Sequence, residues 1–499
     1  MGTARDVDGG GLPPVEPIAR LPDTALEDLR RAVARSGYAF ETLAAAERVA
    51  PQQLDAVRLP VVHWWLERRP GPDAVLARLF AYEARVPIGA VRGALGEALV
   101  DALARAGILA AADGRVEARL RLTPFEGLLL LSDPPEAGED AVMGPGPTTV
   151  MLARSVPPSP GAVLDVGCGA GTLALLAAGR GATRAVGVDL SARAVTLARV
   201  NARLNGLAAE FREGDLLAPV RGEAFDLVVS QPPYVPLPEG VSRAVYLHGG
   251  ARGDELAVRF AGAFPAALGP RGRAVLLFDT PSVGAPVHEA LRAALGDAAV
   301  DLAVLVAPGP SADLQAVAYG AIAERGLGNG YREALRRYRD HLEALGAAAF
   351  SRVLVVLRAA DRPGGRFTVE LPVPGVGGIG AAVLDRFLGA LDLASAPDAA
   401  LLAARVRPAP EARLHEERAI GSEGRPAAIS VRFQPGWVGT DREVSEAGAF
   451  LLEALSGAAS VDDAVARFAE AAGEPAAQAR RTVVDFVREA LSRGLLVPG

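Results

Sequence analysis

Seven short apolar runs alternate with helix-like segments between about residues 142 and 360, and this rhythm constrains the fold more than any other feature. Strands that alternate with helices predict an open parallel sheet. Each crossover helix returns the chain to the end of the sheet at which the previous strand began, so the next strand runs in the same direction. The predicted strands are AVLDVGC, RAVGVDL, AEFREGD, FDLVVS, RAVLLFD, VDLAVLVA and SRVLVVLRA. A longer excursion at about 310–347, with the amphipathic run YREALRRYRDHLEAL, precedes the last strand.

The chain has 499 residues, too many for one ordinary core, and its patterns divide it into four parts. We predict a disordered lead-in (1–20), a helical, winged-helix-like domain (21–130), an α/β domain (131–360) and a C-terminal accessory domain with terminal helices (361–499). Two alternating runs around Asp113 and Gly114 indicate a hairpin after the first helices. The N-terminal domain could recognise a substrate or serve as a packing cap, and the sequence leaves both open.

Composition narrows the function classes. The net charge of −7 gives no global attraction for polyanions. The single cysteine, Cys168, excludes an intramolecular disulfide and a cysteine-based metal cluster, and no metal site is expected. The N-terminus lacks the apolar segment of a signal peptide, and no run of ~20 apolar residues could span a membrane. We therefore expect a cytoplasmic protein; its oligomeric state is not indicated.

The first predicted strand runs into a glycine-rich loop, VLDVGCGAG at 163–171. Gly167, Gly169 and Gly171 would allow a tight turn and a close approach of backbone to a ligand at a helix N-terminus. Such a loop is also used by dinucleotide-binding enzymes, so it is a weak signal alone. Asp165, two residues before the first glycine, could face a cationic ligand.

Acidic residues also close the next two strands. Asp189, followed by Leu190, is placed to accept hydrogen bonds from two ribose hydroxyls. Asp215, followed by Leu216, could accept one from the exocyclic amine of adenine. Together with the glycine loop and Asp165, these strand ends resemble class I S-adenosylmethionine-dependent methyltransferases over roughly 142–360. The resemblance implies a seven-stranded, Rossmann-like core and S-adenosylmethionine as cofactor.

The fourth strand ends in Gln231, Pro232, Pro233 and Tyr234, where that family commonly has Asn-Pro-Pro-Tyr. In the matching enzymes, the amide oxygen and a proline carbonyl accept hydrogen bonds from a planar NH₂ group that is then methylated. The resemblance implies that these four residues hold the acceptor and that Gln231 also borders the cofactor. Gln231 departs from the pattern by one methylene, roughly 1.5 Å of extra reach, so the acceptor must sit differently.

Two neighbouring segments extend the resemblance. YLHGGARGDELAVRF (246–260) is similar to the Gly-Gly-x-x-Gly segment of HemK-type glutamine methyltransferases, where it covers the active site. His248 within it could orient substrate or act as a base, or could be structural. Thr148 and Thr149, in MGPGPTTVML, would cap a helix, and in the family this region lines the cofactor.

At full length the chain resembles an uncharacterised bacterial group with the same three parts, which implies an architecture but no substrate. The terminal helices weakly resemble PqqD-like modules that bind leader peptides, although a structural cap is the favoured explanation. The favoured function is N-methylation of a protein or peptide, at a glutamine-like amide. Base methylation in tRNA or rRNA and small-molecule methylation are the alternatives. Charge disfavours nucleic acid, because residues 1–125 hold as many acidic residues as arginines.

Overall fold

We describe the protein from a computed structural model that covers residues 12–49, 55–134, 138–242, 244–324, 328–417, 426 and 428–499. The N-terminal part is helical, with a three-stranded sheet in the order β1-β3-β2. Its elements are α1 (Val15–Ala19), α2 (Asp23–Ser36), α3 (Phe40–Val49), α4 (Asp55–Glu67), α5 (Pro72–Leu76), β1 (Val86–Pro87), α6 (Ile88–Leu95), α7 (Glu97–Arg105), β2 (Leu109–Ala112) and β3 (Arg115–Ala118). This arrangement confirms the winged-helix-like fold.

The hairpin between β2 and β3 turns at Asp113 and Gly114, as predicted, and both residues have positive φ. The expectation of a disordered lead-in is wrong for residues 15–19, which form α1. This helix is stabilised by tertiary packing, because Ile18 is fully buried in the N-terminal core. Residues 1–11 lie outside the described part of the chain.

A second hairpin, β4 (Arg121–Phe125) and β5 (Leu128–Ser132), leads into the α/β domain. This domain contains a sheet of eight strands, β6 (Ala162–Val166), β7 (Arg184–Asp189), β8 (Glu210–Glu213), β9 (Phe225–Ser230), β12 (Leu268–Ser282), β13 (Val300–Ser311), β14 (Ala349–Ala359) and β15 (Thr368–Pro372). A separate short pair is β10 (Val235–Pro236) with β11 (His248–Gly250). Each of the seven predicted strands forms.

The helices of this domain pack around the sheet or beside it. They are α8 (Pro147–Ala153), α9 (Thr172–Gly179), α10 (Ala192–Asn205), α11 (Glu255–Ala263), α12 (Val287–Leu295), α13 (Ala312–Ala323) and α14 (Asn329–Ala344). The last two form the excursion predicted before the final strand. They pack on each other, and Tyr319, Tyr338 and Phe350 form a small core beneath them.

The strand order is β15-β13-β14-β12-β9-β6-β7-β8, and β14 alone runs antiparallel to its neighbours. The order reverses direction between β6 and β9, the position where open α/β sheets bind ligands at the carboxyl ends of the strands. The class I methyltransferase core predicted from the sequence is confirmed. The sheet also extends past residue 360, where we expected the domain to end, because β15 pairs with β13 through backbone hydrogen bonds at the sheet edge.

The C-terminal part is a mixed unit with its own core. It contains α15 (Ala381–Ala394), α16 (Asp398–Ala403), β16 (Val406–Pro408), β17 (Ala412–Glu417), β18 (Ala428–Phe433), β19 (Arg442–Glu443), α17 (Glu446–Gly457), α18 (Val461–Ala472), α19 (Ala476–Ser492) and β20 (Leu496–Pro498). The helices at the C-terminal end of the chain are α17, α18 and α19. No helix in the described ranges is long and apolar enough to cross a membrane.

Candidate active site

The glycine loop lies between the end of β6 and the start of α9. Gly167, Gly169 and Gly171 all have positive φ, which glycine adopts without strain. Gly171 is also required by packing, because a Cβ there would lie 2.9 Å from the Phe211 ring. The loop is tied to the neighbouring strand, since the Gly167 N–H donates to the Val188 carbonyl at 2.8 Å. A rigid turn therefore presents backbone at the carboxyl edge of the sheet.

Asp189 organises this edge with both carboxylate oxygens. Oδ2 accepts from the Gly169 N–H at 2.8 Å, and Oδ1 accepts from the Ser191 N–H at 2.9 Å. Burial raises the pKa of this carboxyl. The Leu190 N–H is a third backbone donor to this carboxylate. An ionised carboxylate has about four acceptor positions, so acceptor capacity remains for the ribose hydroxyls. The adjacent Leu190 is exposed and borders the same open face.

Asp215 follows β8, as predicted, but has a partner that the sequence did not indicate. Its Oδ2 accepts from Arg259 Nη2 at 2.5 Å, and each side chain is 53% exposed. The other carboxylate oxygen remains available for an adenine amine. The next residue, Leu216, has a φ of 51°, a left-handed conformation that is uncommon for leucine. The Gly214 N–H donates to the Asp189 carbonyl at 2.9 Å, so the loop after β8 is held against the end of β7.

These carboxylates and the glycine loop suit a ligand that carries a cationic centre, a ribose and an adenine. Asp189, Asp215 and the loop would hold S-adenosylmethionine by the groups named above. The described residues contain no cluster of three or more His, Cys, Asp or Glu side chains that could hold a metal ion. Cys168 is buried, in agreement with a small packing residue.

Asp165 is buried at the end of β6 and accepts a hydrogen bond from the Ala174 N–H of α9 at 3.1 Å. Burial, chiefly, raises its pKa to about 7, and the nearby charge of Asp189 adds to this. In this geometry Asp165 stabilises the start of α9, where backbone N–H groups favour negative charge. A cationic ligand nearby would lower the pKa and favour ionisation.

Asp165→Asn is expected to remove a pH dependence of stability. The folded protein holds a proton on Asp165 between about pH 4 and pH 7 that the unfolded chain has lost, so the free energy of unfolding falls as pH rises through this window. The total effect is on the order of 4 kcal/mol. Thermal unfolding without cofactor should show that the variant gains stability relative to wild type from pH 4 to pH 8.

The control for this prediction is Asp226→Asn. Asp226 accepts a hydrogen bond from the Ala162 N–H at the other end of β6, so the variant also removes one charge that bonds to backbone. Wild type and Asp165→Asn melting temperatures that run parallel from pH 4 to pH 8 would contradict the prediction.

Gln231 leaves the end of β9 and contacts α8. Its Oε1 lies 3.0 Å from Thr149 Oγ1, which in turn accepts from the Gly146 N–H at 3.2 Å. Because Thr149 Oγ1 accepts from Gly146, its own hydrogen is free for Gln231 Oε1. In this arrangement the hydroxyl donates to Oε1, so the Nε2 edge of the amide faces away from Thr149. The sequence placed both residues at the site but did not indicate this contact.

Thr148 and Tyr234 form a second link between the same two elements. Thr148 is buried, and its hydroxyl hydrogen-bonds with Tyr234. Burial, chiefly, raises the pKa of the Tyr234 phenol. Pro232 is buried and Pro233 is half-buried between the ends of this segment. Gln231 to Tyr234 thus form one loop held against the N-terminal turn of α8.

The Gly-Gly segment lies directly on this loop. The Val235 N–H donates to the Leu247 carbonyl at 2.9 Å, and β10 pairs with β11. A Cβ at Gly249 would overlap the carbonyl oxygens of Pro233 and Gly253, so only glycine fits there. The backbone of this segment therefore packs closely on the loop from Gln231 to Tyr234.

His248 is almost fully buried within this segment. Its Nδ1 accepts from the Ala244 N–H at 3.0 Å, and its Nε2 lies 3.1 Å from the Tyr338 hydroxyl of α14. In the neutral ring, Nε2 then carries the proton and donates to Tyr338. The imidazole joins this segment to α14, a geometry that favours the structural alternative over contact with an acceptor.

Comparisons with known proteins follow the same division of the chain. Residues 145–242 match the family model described as methyltransferase small domain, and residues 439–496 match that of coenzyme PQQ synthesis protein D. A putative protein N5-glutamine methyltransferase of Methanocaldococcus jannaschii is 40% identical over 102 residues, which is 20% of this chain and 51% of the relative. The release factor glutamine methyltransferase of Deinococcus radiodurans is 38% identical over 140 residues, 26% of this chain and 50% of the relative.

The chain thus spans about half the length of these curated relatives. Among solved structures, a ribosomal protein L11 methylase from Lactobacillus delbrueckii subsp. bulgaricus is 18% identical, with a TM-score of 0.24 over 43% of this chain and 77% of that one. A geranyl diphosphate methyltransferase is also 18% identical, with a TM-score of 0.28 over 42% of this chain and 74% of that one. At these scores the likeness adds nothing to what the sheet topology shows.

Proposed function

We propose that this chain, whose central domain is a HemK-like class I methyltransferase domain with S-adenosylmethionine as cofactor, methylates a glutamine-like side-chain amide of a protein or peptide. One observation carries the proposal: the Gln231 amide is held by Thr149 in a single orientation, at the sheet edge that bears the glycine loop. The relatives named as protein glutamine methyltransferases support the acceptor class.

A primary carboxamide is complementary to the Gln231 amide as it is fixed here. Thr149 occupies one lone pair of Oε1, so the second can accept from an acceptor N–H, while Nε2–H can donate to the acceptor carbonyl. Such pairing would hold the acceptor nitrogen in a fixed plane. A purely cationic amine lacks the carbonyl and would leave the Nε2 donors unpaired, which costs free energy in a partly buried site.

The remaining site residues would bind the cofactor and orient the acceptor. When bound, the cofactor supplies a sulfonium methyl group, which the acceptor nitrogen takes up with loss of one proton. Asp189 and the glycine loop would fix the ribose end, and the Gln231–Tyr234 loop would hold the acceptor close to the reactive carbon. Positioning of this kind lowers the barrier because reacting atoms are held near 3–3.5 Å.

The flanking domains fit a polypeptide better than RNA. The N-terminal part has no excess of basic residues, so it lacks the electrostatic footprint of an RNA-binding surface. The C-terminal match to PqqD is consistent with a peptide partner, because the terminal helices resemble modules that bind leader peptides. We therefore rank a protein or peptide above tRNA, rRNA and small molecules as acceptor.

The proposal is tested by incubating the protein with bacterial extract and an isotopically labelled methyl donor. Protein, RNA and small-molecule fractions are then separated and analysed by mass spectrometry after enzymatic digestion. We expect label on a glutamine residue in the protein or peptide fraction, and none with Gln231→Ala. Label confined to RNA nucleosides or to small metabolites would overturn the acceptor class.

A further inference from the structure

A charged pair lies near the loop from Gln231 to Tyr234, here called the acceptor loop, and is not among the groups proposed to hold the cofactor or the acceptor amide. Arg352 of β14 stands directly opposite Asp279 of β12, near the carboxyl end of β12. Arg352 Nε donates to Asp279 Oδ1 at 2.8 Å, and Nη2 donates to Oδ2 at 2.9 Å. Asp279 is buried, whereas the Arg352 side chain is 29% exposed. The pair therefore places a fixed guanidinium at the surface of the site.

Asp279 occupies only one edge of this guanidinium. An arginine has five N–H donors, and the side-on pairing through Nε and Nη2 leaves the end-on fork of Nη1 and Nη2. The contact described for Nη1 is the Met151 sulfur at 3.7 Å, and a thioether is a weak acceptor. The free fork has the geometry that binds a planar carboxylate through two parallel hydrogen bonds.

The surroundings connect this fork to the acceptor loop. Met151 belongs to α8, one turn after Thr148, which bonds to Tyr234. Tyr234 also lies within electrostatic reach of both Arg352 and Asp279. Through Met151, Arg352 thus contacts α8, the helix that also bonds to Gln231 and Tyr234.

A second polar group in this region also lacks a partner. The Tyr319 hydroxyl of α13 is buried and makes no hydrogen bond of normal geometry, although the Gln315 side chain lies near it. Buried hydroxyls are nearly always hydrogen-bonded, so an unpaired one is unusual. Burial, chiefly, and the nearby charge of Asp279 raise the pKa of the Tyr319 phenol. The helical excursion therefore contributes a donor to the same corner of the site.

We propose that Arg352 is a specificity-determining residue that binds a carboxylate of the acceptor, so that the preferred substrate is a polypeptide with an acidic residue close to the methylated amide. The inference rests on the proposed function. Asp279 already balances the charge of Arg352, so the preference for a carboxylate comes from the planar pair of donors at Nη1 and Nη2 and not from net charge. Tyr319 can donate a further hydrogen bond to the same group.

The test uses a library of synthetic peptides, so the natural substrate need not be identified first. Each heptapeptide has glutamine at its centre and random residues elsewhere, and methylated products are sequenced by mass spectrometry. Wild type is expected to enrich Asp or Glu at one position about tenfold, the scale of a hydrogen-bonded ionic contact. Arg352→Gln should abolish the enrichment, and Arg352→Lys should reduce it because lysine lacks the fork.

The enrichment is a ratio, so it does not depend on the fraction of enzyme that folds when Asp279 loses its partner. The matched control is Arg358→Gln, on the same strand six residues away, which breaks a comparable pair with Asp301 and should retain the acidic preference. Wild type without an acidic preference, or Arg352→Gln with an intact one, would overturn the inference. A parallel loss of S-adenosylmethionine affinity in Arg352→Gln would instead assign the fork to the cofactor carboxylate. Absence of any methylated peptide would overturn the proposed function, and this inference with it.

Discussion

Gln231→Ala is expected to lower kcat/KM by about 100-fold or more while S-adenosylmethionine affinity changes little. The variant removes the oriented amide at the acceptor side, and losses of this size follow removal of one preorganised polar contact at a reacting centre. The cofactor groups on β6, β7 and β8 do not contact the Gln231 side chain among the hydrogen bonds described. Calorimetry with the cofactor and single-turnover methyl transfer would separate the two effects.

Gln231→Asn tests why the longer side chain is present. Asparagine is shorter by one methylene, roughly 1.5 Å, so it cannot keep the 3.0 Å contact with Thr149 from the same backbone position. A misplacement of about 1 Å can cost about 100-fold in rate, so Asn should behave nearly like Ala. The reciprocal change, Thr149→Val, should lower kcat partially and Thr149→Ser should retain it, because only the hydroxyl fixes the amide.

Three results would contradict these predictions. An Asn variant that matches wild type would show that the pocket keeps the usual asparagine geometry and merely tolerates glutamine. An Ala variant with full activity on the true acceptor would show that position 231 only ends a strand. Thr149→Val that loses cofactor affinity and activity in parallel would place Thr149 at the cofactor, as the family resemblance alone implied.

The strands and the glycine loop could be predicted from sequence because their signals are local. The apolar run 227–229 is buried on both faces of a parallel sheet, so its composition alone indicates the strand. The loop after β6 needs glycine at positions with positive φ, so the glycines in the sequence directly indicate the turn. The acidic residues at strand ends could also be predicted, because the apolar pattern shows where each strand ends.

Features that depend on distant partners could not be predicted. The pairing of Asp279 with Arg352 joins residues 73 positions apart. The sequence shows only that each of these charged residues lies near the end of an apolar run. His248 could have faced an acceptor or supported a loop, and only the positions of Ala244 and Tyr338 favour the second. Strand β15 forms at an edge where backbone pairing, rather than side-chain burial, dominates, so its sequence signal is weak.

The ion pair between Asp215 and Arg259 shows a further limit. The position of Asp215 after β8 follows from the strand pattern, whereas its partner comes from α11, which the fold brings across the loop. Both side chains are half exposed, so the pair contributes little to stability and can be rearranged by a ligand. The sequence thus identifies Asp215 as a candidate cofactor-binding residue, and only the tertiary structure shows that it is paired with Arg259 before a ligand binds.

Asp189→Ala is expected to weaken S-adenosylmethionine binding by about 100-fold or more. Two ribose hydroxyls would lose an ionised acceptor, and each hydrogen bond to a charged group contributes ~1.5–3 kcal/mol. The variant also removes the acceptor for the Gly169 and Ser191 N–H groups, so the glycine loop loses one of its links to β7. Both effects act on the cofactor side, and acceptor binding should not change.

Asp226→Ala is the matched control for this prediction, because Asp226 also accepts a backbone N–H, that of Ala162, at the opposite edge of the same sheet. It should keep wild-type cofactor affinity, whereas Asp189→Asn should lie between Ala and wild type, since an amide retains one acceptor oxygen but loses the charge. Isothermal calorimetry with S-adenosylmethionine measures all three variants directly. Undiminished binding by Asp189→Ala, or no binding by wild type, would contradict the assignment of this edge to the cofactor. The two alanine variants at 189 and 231 therefore report on opposite sides of one reaction: the first should fail to hold the methyl donor, and the second should hold it without aligning an acceptor.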